Sequence, residues 1–166
     1  MRKPETLNSK VVEILTNRFY NEYKHHYMYR AASNWCKGVG YNLAADYFAK
    51  ESESELGHAL KIQELLVDWN VIPDVSINES PKLEFKNLYE LIVHIYDDEY
   101  RVYEEYEEDS MQLFRLGELQ IFDFFAEYRK LQKDGVAEYS DMINMLEGTN
   151  VDSKFEMLVL EEKLFE

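Results

Sequence analysis

The stretch Ala49-Lys50-Glu51-Ser52-Glu53-Ser54-Glu55-Leu56-Gly57-His58-Ala59-Leu60-Lys61 organises the interpretation of the whole chain. It lies inside a longer segment whose apolar residues recur with the period of an α-helix. Glu55 and His58 are three residues apart, so they lie on one helix face, one turn from each other. A carboxylate and an imidazole placed in this way can hold a metal ion. Whether they do depends on what the other helices place at the same depth.

The composition describes a globular protein of about one domain. The chain has 166 residues, of which 46% are hydrophobic, and it contains only six glycines and three prolines, which favours long helices. We expect one domain over residues 1–166, without a signal peptide or a membrane-spanning segment. Cys36 is the single cysteine, so no internal disulfide can form and a cytoplasmic location is expected.

The net charge narrows the classes of partner. The chain carries 33 acidic and 18 basic residues, which gives a formal net charge of −15 at pH 7. Such a surface repels phosphate backbones and anionic lipids, so we expect neither nucleic acid nor membrane as a partner. The same charge attracts cations.

Helical periodicity predicts four long helices and a short fifth one. The predicted helices span residues 7–36, 42–69, 87–116, 118–146 and 152–164. The segment Lys37–Gly40 and Gly117 mark short turns between helices. Asn70–Lys86, which contains Pro73 and Pro81, is too long for a turn and is predicted to be an extended crossover. The pattern therefore indicates an all-α four-helix bundle in which a long crossover joins two helical hairpins.

Each long helix has an apolar stripe that is interrupted near its middle by a polar residue. The apolar positions are Val11, Leu15, Phe19, Tyr29 and Ala32 in the first helix, Phe48, Ile62, Leu65 and Trp69 in the second, Leu88, Ile92, Ile95, Val102 and Tyr106 in the third, and Ile121, Phe125, Tyr128, Val136, Tyr139 and Ile143 in the fourth. The polar residues are Glu22, Glu55 with His58, Glu99 and Gln132. Several carboxylates buried in one core need a compensating cation, and carboxylate and imidazole ligands suit a pair of ferrous ions.

Along nearly its whole length the chain resembles the non-haem bacterial ferritins. The separations from Glu22 through Glu55, His58 and Glu99 to Gln132 follow that family's ferroxidase-centre pattern without insertion or deletion. Neighbouring residues agree with the family as well, namely Met28, Tyr29, Trp35, Phe48, Ala49 and the run Glu55–Ala59. The resemblance implies a ferritin-like four-helix bundle with a long crossover between its second and third helices and a short C-terminal fifth helix.

The resemblance also implies roles for individual residues. Glu22 and His58 would be terminal ligands of a first iron, and Glu55 would bridge two irons. Glu99 would be the main ligand of the second iron, with Gln132 beside it.

The implied activity is that of a ferroxidase. The protein would oxidise Fe(II) with O2 or H2O2 at a centre of two irons per subunit and store Fe(III) mineral in a hollow cage. Tyr29 would hydrogen-bond to a ligand or supply an electron during oxygen reduction. Nothing in the sequence marks a haem-ligating methionine, so no haem is expected.

The implied assembly is a homo-oligomer of 24 subunits. The predicted fifth helix carries Phe155, Leu158 and Leu160, an apolar side that a single bundle would leave exposed to solvent.

Two departures from the family concern acidic residues. Ser54, Leu131 and Asp134 stand at the positions where the family builds a third iron site, so at most one carboxylate remains there. Gly135 stands where the family usually has Glu. We therefore expect two irons per subunit, with the second bound more weakly than the first.

A second Glu-x-x-His, formed by Glu22 and His25, suggests a rival function. In rubrerythrin-like peroxide reductases the second such pair belongs on the fourth helix, but residues 132–135 contain neither His nor Glu. We therefore expect His25, His26 and His94 at the surface or at an interface. A peroxide reductase of that kind, and a shell that buffers metal without catalysis, remain the alternatives.

Overall fold

The computed structural model describes residues 7–76 and 79–166, and these contain five α-helices and no β-strand. The helices are α1 (Ser9–Val39), α2 (Asn42–Asp68), α3 (Leu88–Arg115), α4 (Leu119–Glu147) and α5 (Lys154–Leu164). The predicted all-α class is therefore confirmed. The polar stretch Met1–Thr6, which precedes the first predicted helix, lies outside the described residues. Within the described ranges, every helix is too short or too polar to cross a membrane.

The end of α1 differs from the prediction. The helix continues to Val39, three residues beyond the predicted end at Cys36, because the left-handed backbone that stops it occurs at Gly40, where φ is 95°. The N–H of Gly40 donates to the carbonyl of Cys36 and closes the last turn. The other predicted helix ends lie within two residues of the observed ones.

The connection between α2 and α3 has no regular secondary structure in its described residues, 69–76 and 79–87. This agrees with the predicted crossover over residues 70–86. The connection is tied to α1 by an ion pair at 2.7 Å between Lys24 Nζ and Glu79 Oε2. At its end the Asn87 side chain accepts a hydrogen bond of 2.8 Å from the N–H of Glu90 and caps α3.

The packing divides the chain into two compact units. The first unit contains α1, α2 and Phe165, and the second contains α3, α4 and α5. The single domain expected over residues 1–166 stays a prediction.

The first unit is built around the apolar stripe of α1, all of whose predicted residues are buried. Tyr29 stacks on Phe48 of α2 with ring centroids 6.0 Å apart. Phe165 also packs against α2, with its ring centroid 5.1 Å from that of Tyr47 and 5.6 Å from that of Phe48. On α2 the stripe is shifted from the prediction at its end: Leu66 is fully buried, whereas Leu65 and Trp69 are only half-buried.

A buried polar contact joins the two helices of the first unit. The Ser52 hydroxyl donates to the main-chain oxygen of His26 at 2.9 Å and lies 2.8 Å from its Nδ1. The same ring nitrogen lies 2.7 Å from the Ser52 carbonyl oxygen. Ser52 has no exposed surface, so the lost hydration of these groups is compensated by this network.

The second unit packs α3 against α4. The buried apolar residues of its two long helices include Leu88, Ile92, Ile95, Val102, Tyr106, Ile121, Phe125, Tyr128, Tyr139, Met142 and Leu146. Tyr106 contacts Phe125 and Tyr128, with ring centroids 5.5 Å and 5.7 Å away. Val136 and Ile143, predicted on the same stripe, are half-buried.

Candidate metal centre

The register of α1 against α2 brings the predicted ligands of the first unit together. The two helices are joined by a short turn and run antiparallel. Contacts between Ser33 and Ala45 and between His26 and Ser52 set the register, which continues to Glu22 opposite Glu55. Each carboxylate therefore projects from the middle of its helix toward the other.

Three of the predicted ligands converge in this hairpin. Nδ1 of His58 lies 3.4 Å from Oε2 of Glu55 and 3.8 Å from Oε2 of Glu22. Glu22 is 3% exposed and Glu55 is 9% exposed, while His58 is half-buried. The stripe residues on either side of each glutamate are apolar, so the folding of the helices carries both carboxylates into the interior.

A fourth side chain joins them, and the expectation that it lies at the surface or an interface is wrong. His25 is 2% exposed, and its Nδ1 lies 3.9 Å from Oε2 of Glu55. Ligand atoms of Glu22, His25 and Glu55 all lie within 4.8 Å of one another. The sequence feature that could have predicted the burial of His25 is the second Glu-x-x-His, because a spacing of three puts His25 on the same buried face of α1 as Glu22. His26 and His94, expected at the surface or at an interface, are half-buried.

We call Glu22, His25, Glu55 and His58 the α1–α2 cluster. Two carboxylates with little access to water carry a formal charge of −2, which is costly to bury without compensation. A divalent cation neutralises that charge. Carboxylate oxygen and imidazole nitrogen are donors that ferrous iron, zinc and related ions accept, so this donor set fits a divalent metal ion.

Tyr29 lies beside the cluster, one turn after His25 on α1. Its ring is 1% exposed, and its centroid is 6.5 Å from that of His25, with the planes nearly perpendicular. Burial against Phe48 fixes the ring in one orientation. The redox role that the resemblance implies for Tyr29 stays a prediction.

In the second unit, Glu99 and Gln132 are both buried and bonded to each other. The amide nitrogen of Gln132 donates to the main-chain oxygen of Glu99 at 2.8 Å and also to its carboxylate Oε2. Since a main-chain oxygen only accepts, this contact fixes the amide orientation: the nitrogen faces Glu99. Gln132 thus holds the Glu99 carboxylate in place.

Gly135 opens the space next to that carboxylate. It lies one turn after Gln132 on α4, and a Cβ added to it would be 3.8 Å from Oε2 of Glu99, an ordinary contact distance. A longer side chain at this position would therefore start beside the carboxylate without steric conflict.

Ser54, Leu131 and Asp134, the positions where the resemblance implies a third iron site in the family, are all exposed. The acid that remains, Asp134, is engaged with Lys130, whose Nζ lies 2.6 Å from Oδ2. This hydrogen bond and the attraction to Asp134 raise the pKa of the Lys130 ammonium.

Comparison with known proteins agrees with this architecture. The sequence profile of the ferritin-like domain matches residues 12–149. A probable bacterial non-heme ferritin-like protein of Haemophilus influenzae is 24% identical over 148 residues, which cover 89% of this chain and 90% of that protein. A bacterial non-heme ferritin of Escherichia coli strain CFT073 is 23% identical over 146 residues, with coverages of 88% and 86%.

Solved structures show the same fold. An open-pore ferritin of the hyperthermophilic archaeon Archaeoglobus fulgidus matches with a TM-score of 0.88 at 20% identity, covering 95% of this chain and 96% of that one. The predicted four-helix bundle with a short fifth helix is therefore confirmed as the fold class. Since the domain profile spans most of the sequence, the chain belongs to the ferritin family.

Proposed function

We propose that the protein is an iron-storage ferritin with ferroxidase activity. In this proposal it oxidises Fe(II) at a dinuclear centre within each subunit, with O2 or H2O2 as oxidant, and holds the Fe(III) product as mineral inside a hollow homo-oligomeric cage in the cytoplasm. The observation that carries the proposal is the convergence of Glu22, Glu55 and His58 in the interior of the α1–α2 hairpin.

The first unit would bind the first ferrous ion. Glu22 and His58 are its terminal ligands in this proposal, and Glu55 shares its carboxylate between the first and the second ion. The two carboxylates offset the charge of the cation, and their burial limits competition from water. Each ferrous ion gives one electron to the oxidant, so a pair of ions supplies the two electrons that convert O2 to H2O2 or H2O2 to water.

Glu99 is the proposed main ligand of the second ion. Gln132 stands beside it, and its amide nitrogen already holds the Glu99 carboxylate through a hydrogen bond. Since a neutral amide attracts a hard cation less than a carboxylate does, the second ion is the weaker of the two. Tyr29, fixed next to the α1–α2 cluster, is proposed to supply an electron or a hydrogen bond during oxygen reduction.

Storage requires a cage, and we propose 24 subunits. The solved relatives named as ferritins share the fold over nearly all of this chain. On α5, Phe155 is 75% exposed, and Leu158 and Val159 are exposed as well, which leaves an apolar side for contact with other subunits.

Two measurements on the purified, metal-free protein test this function. Light scattering or electron microscopy should show a large hollow particle, and ferrous iron added in air should be oxidised rapidly, with two irons per subunit reacting in the first phase. A monomer or dimer at micromolar concentration would refute storage.

The rubrerythrin-like peroxide reductase remains a second candidate because His25 is buried beside Glu55, which makes the ligand set richer in histidine. That function predicts a small oligomer that consumes peroxide without forming mineral. A shell that only buffers metal predicts a large particle that binds ferrous iron but does not oxidise it.

A further inference from the structure

We propose that His25 is a metal ligand, so that the α1–α2 hairpin holds a site of two imidazoles and two carboxylates for a divalent cation. The inference rests on the proposed function in placing a metal at Glu22, Glu55 and His58. It adds a ligand from this chain's own second Glu-x-x-His, and it brings the site's two imidazoles into one hairpin.

The distances fit common ligation of one ion. Imidazole nitrogen and carboxylate oxygen bind Zn²⁺ at about 2.0–2.2 Å, so two ligands of the same ion are at most about 4.4 Å apart. The contact of His25 Nδ1 with Glu55 Oε2 is 3.9 Å, and the contacts of His58 Nδ1 with Glu55 and Glu22 are 3.4 Å and 3.8 Å. Glu55 Oε2 is thus close enough to a nitrogen of each imidazole for all three to bind one ion.

The backbone supplies the symmetry of the site. Glu22 with His25 on α1 repeats the spacing of Glu55 with His58 on α2. Because the helices are antiparallel and in register at Ser52 and His26, the two pairs project toward each other from the middle of the hairpin. Each helix contributes one carboxylate and one imidazole.

Charge and burial favour metal binding by His25 over a purely structural role. A divalent ion with two glutamates and two neutral imidazoles forms a site of zero net charge, which lowers the cost of keeping Glu22 and Glu55 away from water. The additional nitrogen ligand shifts the preference toward ions that accept imidazole, such as Zn²⁺ and Fe²⁺, and away from Mg²⁺ and Ca²⁺.

The test measures Zn²⁺ binding to the full-length, metal-free protein by competition with a chromogenic chelator. Replacing a hydrogen-bonding neighbour of a metal ligand already costs about 10–100-fold in affinity, so His25→Leu should weaken Zn²⁺ binding by about 100-fold or more. His94→Leu is the matched control, because His94 is half-buried against Phe85 in the second unit, and it should bind Zn²⁺ as the wild type does. Equal affinity of His25→Leu and wild type would overturn the proposal.

A crystal structure with Zn²⁺, with the metal located by anomalous scattering, gives the second readout. A ring nitrogen of His25 should lie about 2.0–2.1 Å from the ion. A zinc ion bound by Glu22, Glu55 and His58 with His25 outside bonding distance would refute the role of His25. If His25→Leu fails to assemble, His25→Gln replaces it and should lose at least about 10-fold in affinity.

Ferrous oxidation by the wild type, measured separately, distinguishes this inference from the proposed function. Zinc bound through His25 in a protein that does not oxidise iron would refute the ferroxidase and leave the ligand assignment intact. Rapid oxidation in a protein whose His25 is not bound to metal would support the ferroxidase and refute the ligand assignment of His25.

Discussion

The two units differ in what they offer a cation. The first presents Glu22 and Glu55 with two imidazoles, converging within one helical hairpin. The second presents Glu99, held by the neutral amide of Gln132, with a glycine where a further side chain could be. Polar residues in the middle of apolar stripes thus have unequal consequences. In the first unit they form a cluster of candidate ligands, and in the second they form one candidate ligand, Glu99, and the amide that holds it.

This difference has a physical origin in the spacing on each helix. Glu-x-x-His occurs once on each helix of the first unit, so each helix brings one anion and one nitrogen donor to the interior. In the second unit the residue one turn after Gln132 is Gly135, which contributes no donor at all. The asymmetry therefore predicts that the Glu22/His58 site fills first and the Glu99 site second.

The largest effect is expected from removing the proposed ligands of the first unit. Glu55→Ala and His58→Ala should each abolish rapid ferrous oxidation, because each removes a group proposed to bind iron: the carboxylate shared between the two ions, or the imidazole of the first. Both variants should remain helical. Glu55→Ala relieves uncompensated buried charge in the metal-free protein, and His58→Ala shortens a side chain that is only half-buried. Stopped-flow absorbance of the ferric product measures the rate.

Glu53→Ala is the matched control for these variants. Glu53 lies on the exposed side of the same helix, where it pairs with Arg30 at 2.6 Å. It should oxidise iron as the wild type does. Oxidation at the wild-type rate by His58→Ala would show that the assignment of this face of α2 is wrong.

A tenfold effect is expected from filling the gap in the second unit. Gly135→Glu should tighten binding of the second ion by about 10-fold, equivalent to about 1.4 kcal/mol, because it returns an anionic oxygen next to Glu99. The new Cβ would meet Glu99 Oε2 at 3.8 Å, so the helix need not move. Anaerobic titration with ferrous iron, followed by anomalous scattering at limiting iron, measures the occupancy of each site.

Gly135→Gln controls for this substitution, since it adds a side chain of similar size and the same gain in helix propensity, but no charge. It should leave the second site clearly weaker than Gly135→Glu does. Equal tightening by both variants would mean that rigidity of α4, rather than a ligand, limits the second site.

A smaller effect concerns how each hairpin is held together. Ser52→Ala should lower the free energy of unfolding by about 1–2 kcal/mol, because it removes a fully buried hydroxyl that bonds α2 to His26 of α1. Ser110→Ala in the second unit should cost less. There Arg129 donates to Ser110 at 2.9 Å, but the same nitrogen also donates to the carbonyl of Phe122, and that bond survives.

Chemical denaturation followed by circular dichroism compares the two serine variants under identical conditions. If Ser110→Ala lowered the free energy of unfolding as much as Ser52→Ala does, the two hairpins would depend equally on their polar contacts.

Replacing the exposed carboxylate of Asp134 should not change the number of irons bound per subunit. Asp134→Asn should leave two irons per subunit, since Asp134 is exposed and bonded to Lys130. Anomalous scattering after anaerobic soaking with ferrous iron gives the count. Three occupied iron positions in the wild type, reduced to two in Asp134→Asn, would reveal a third iron site. The expectation of two irons, based on the non-acidic Ser54 and Leu131, would then be wrong.

Periodicity was sufficient to predict the elements of the fold. Apolar spacing along each helix is local, and so the five helices and their limits could be derived within a few residues. The exceptions lie where two neighbouring apolar residues could each belong to the buried stripe. On α2, Leu66 is buried and Leu65 is only half-buried, since successive residues point about 100° apart around a helix. The end of α1 at Gly40 depended on which of two nearby glycines adopts positive φ.

The candidate site was predictable in part. The convergence of Glu22, Glu55 and His58 follows from their places on the stripes. The spacing from Glu22 also puts His25 on the buried face of α1, but its distance from Glu55 depends on the register between the two helices, which spacing along one helix does not reveal. Likewise the family resemblance implies Gln132 beside Glu99, yet whether its amide presents nitrogen or oxygen depends on the main-chain carbonyl of Glu99, which the folded structure brings close.

The packing of Phe165 in the first unit has a consequence for the order of folding. Its ring completes the aromatic layer formed by Tyr47, Phe48 and Tyr29, the layer that also supports His25. Contacts between residues so far apart in sequence form late, because closing a long loop costs entropy before any contact repays it. During synthesis on the ribosome, α1 and α2 can therefore pair early. The layer next to the α1–α2 cluster is completed only after residue 165 has been added.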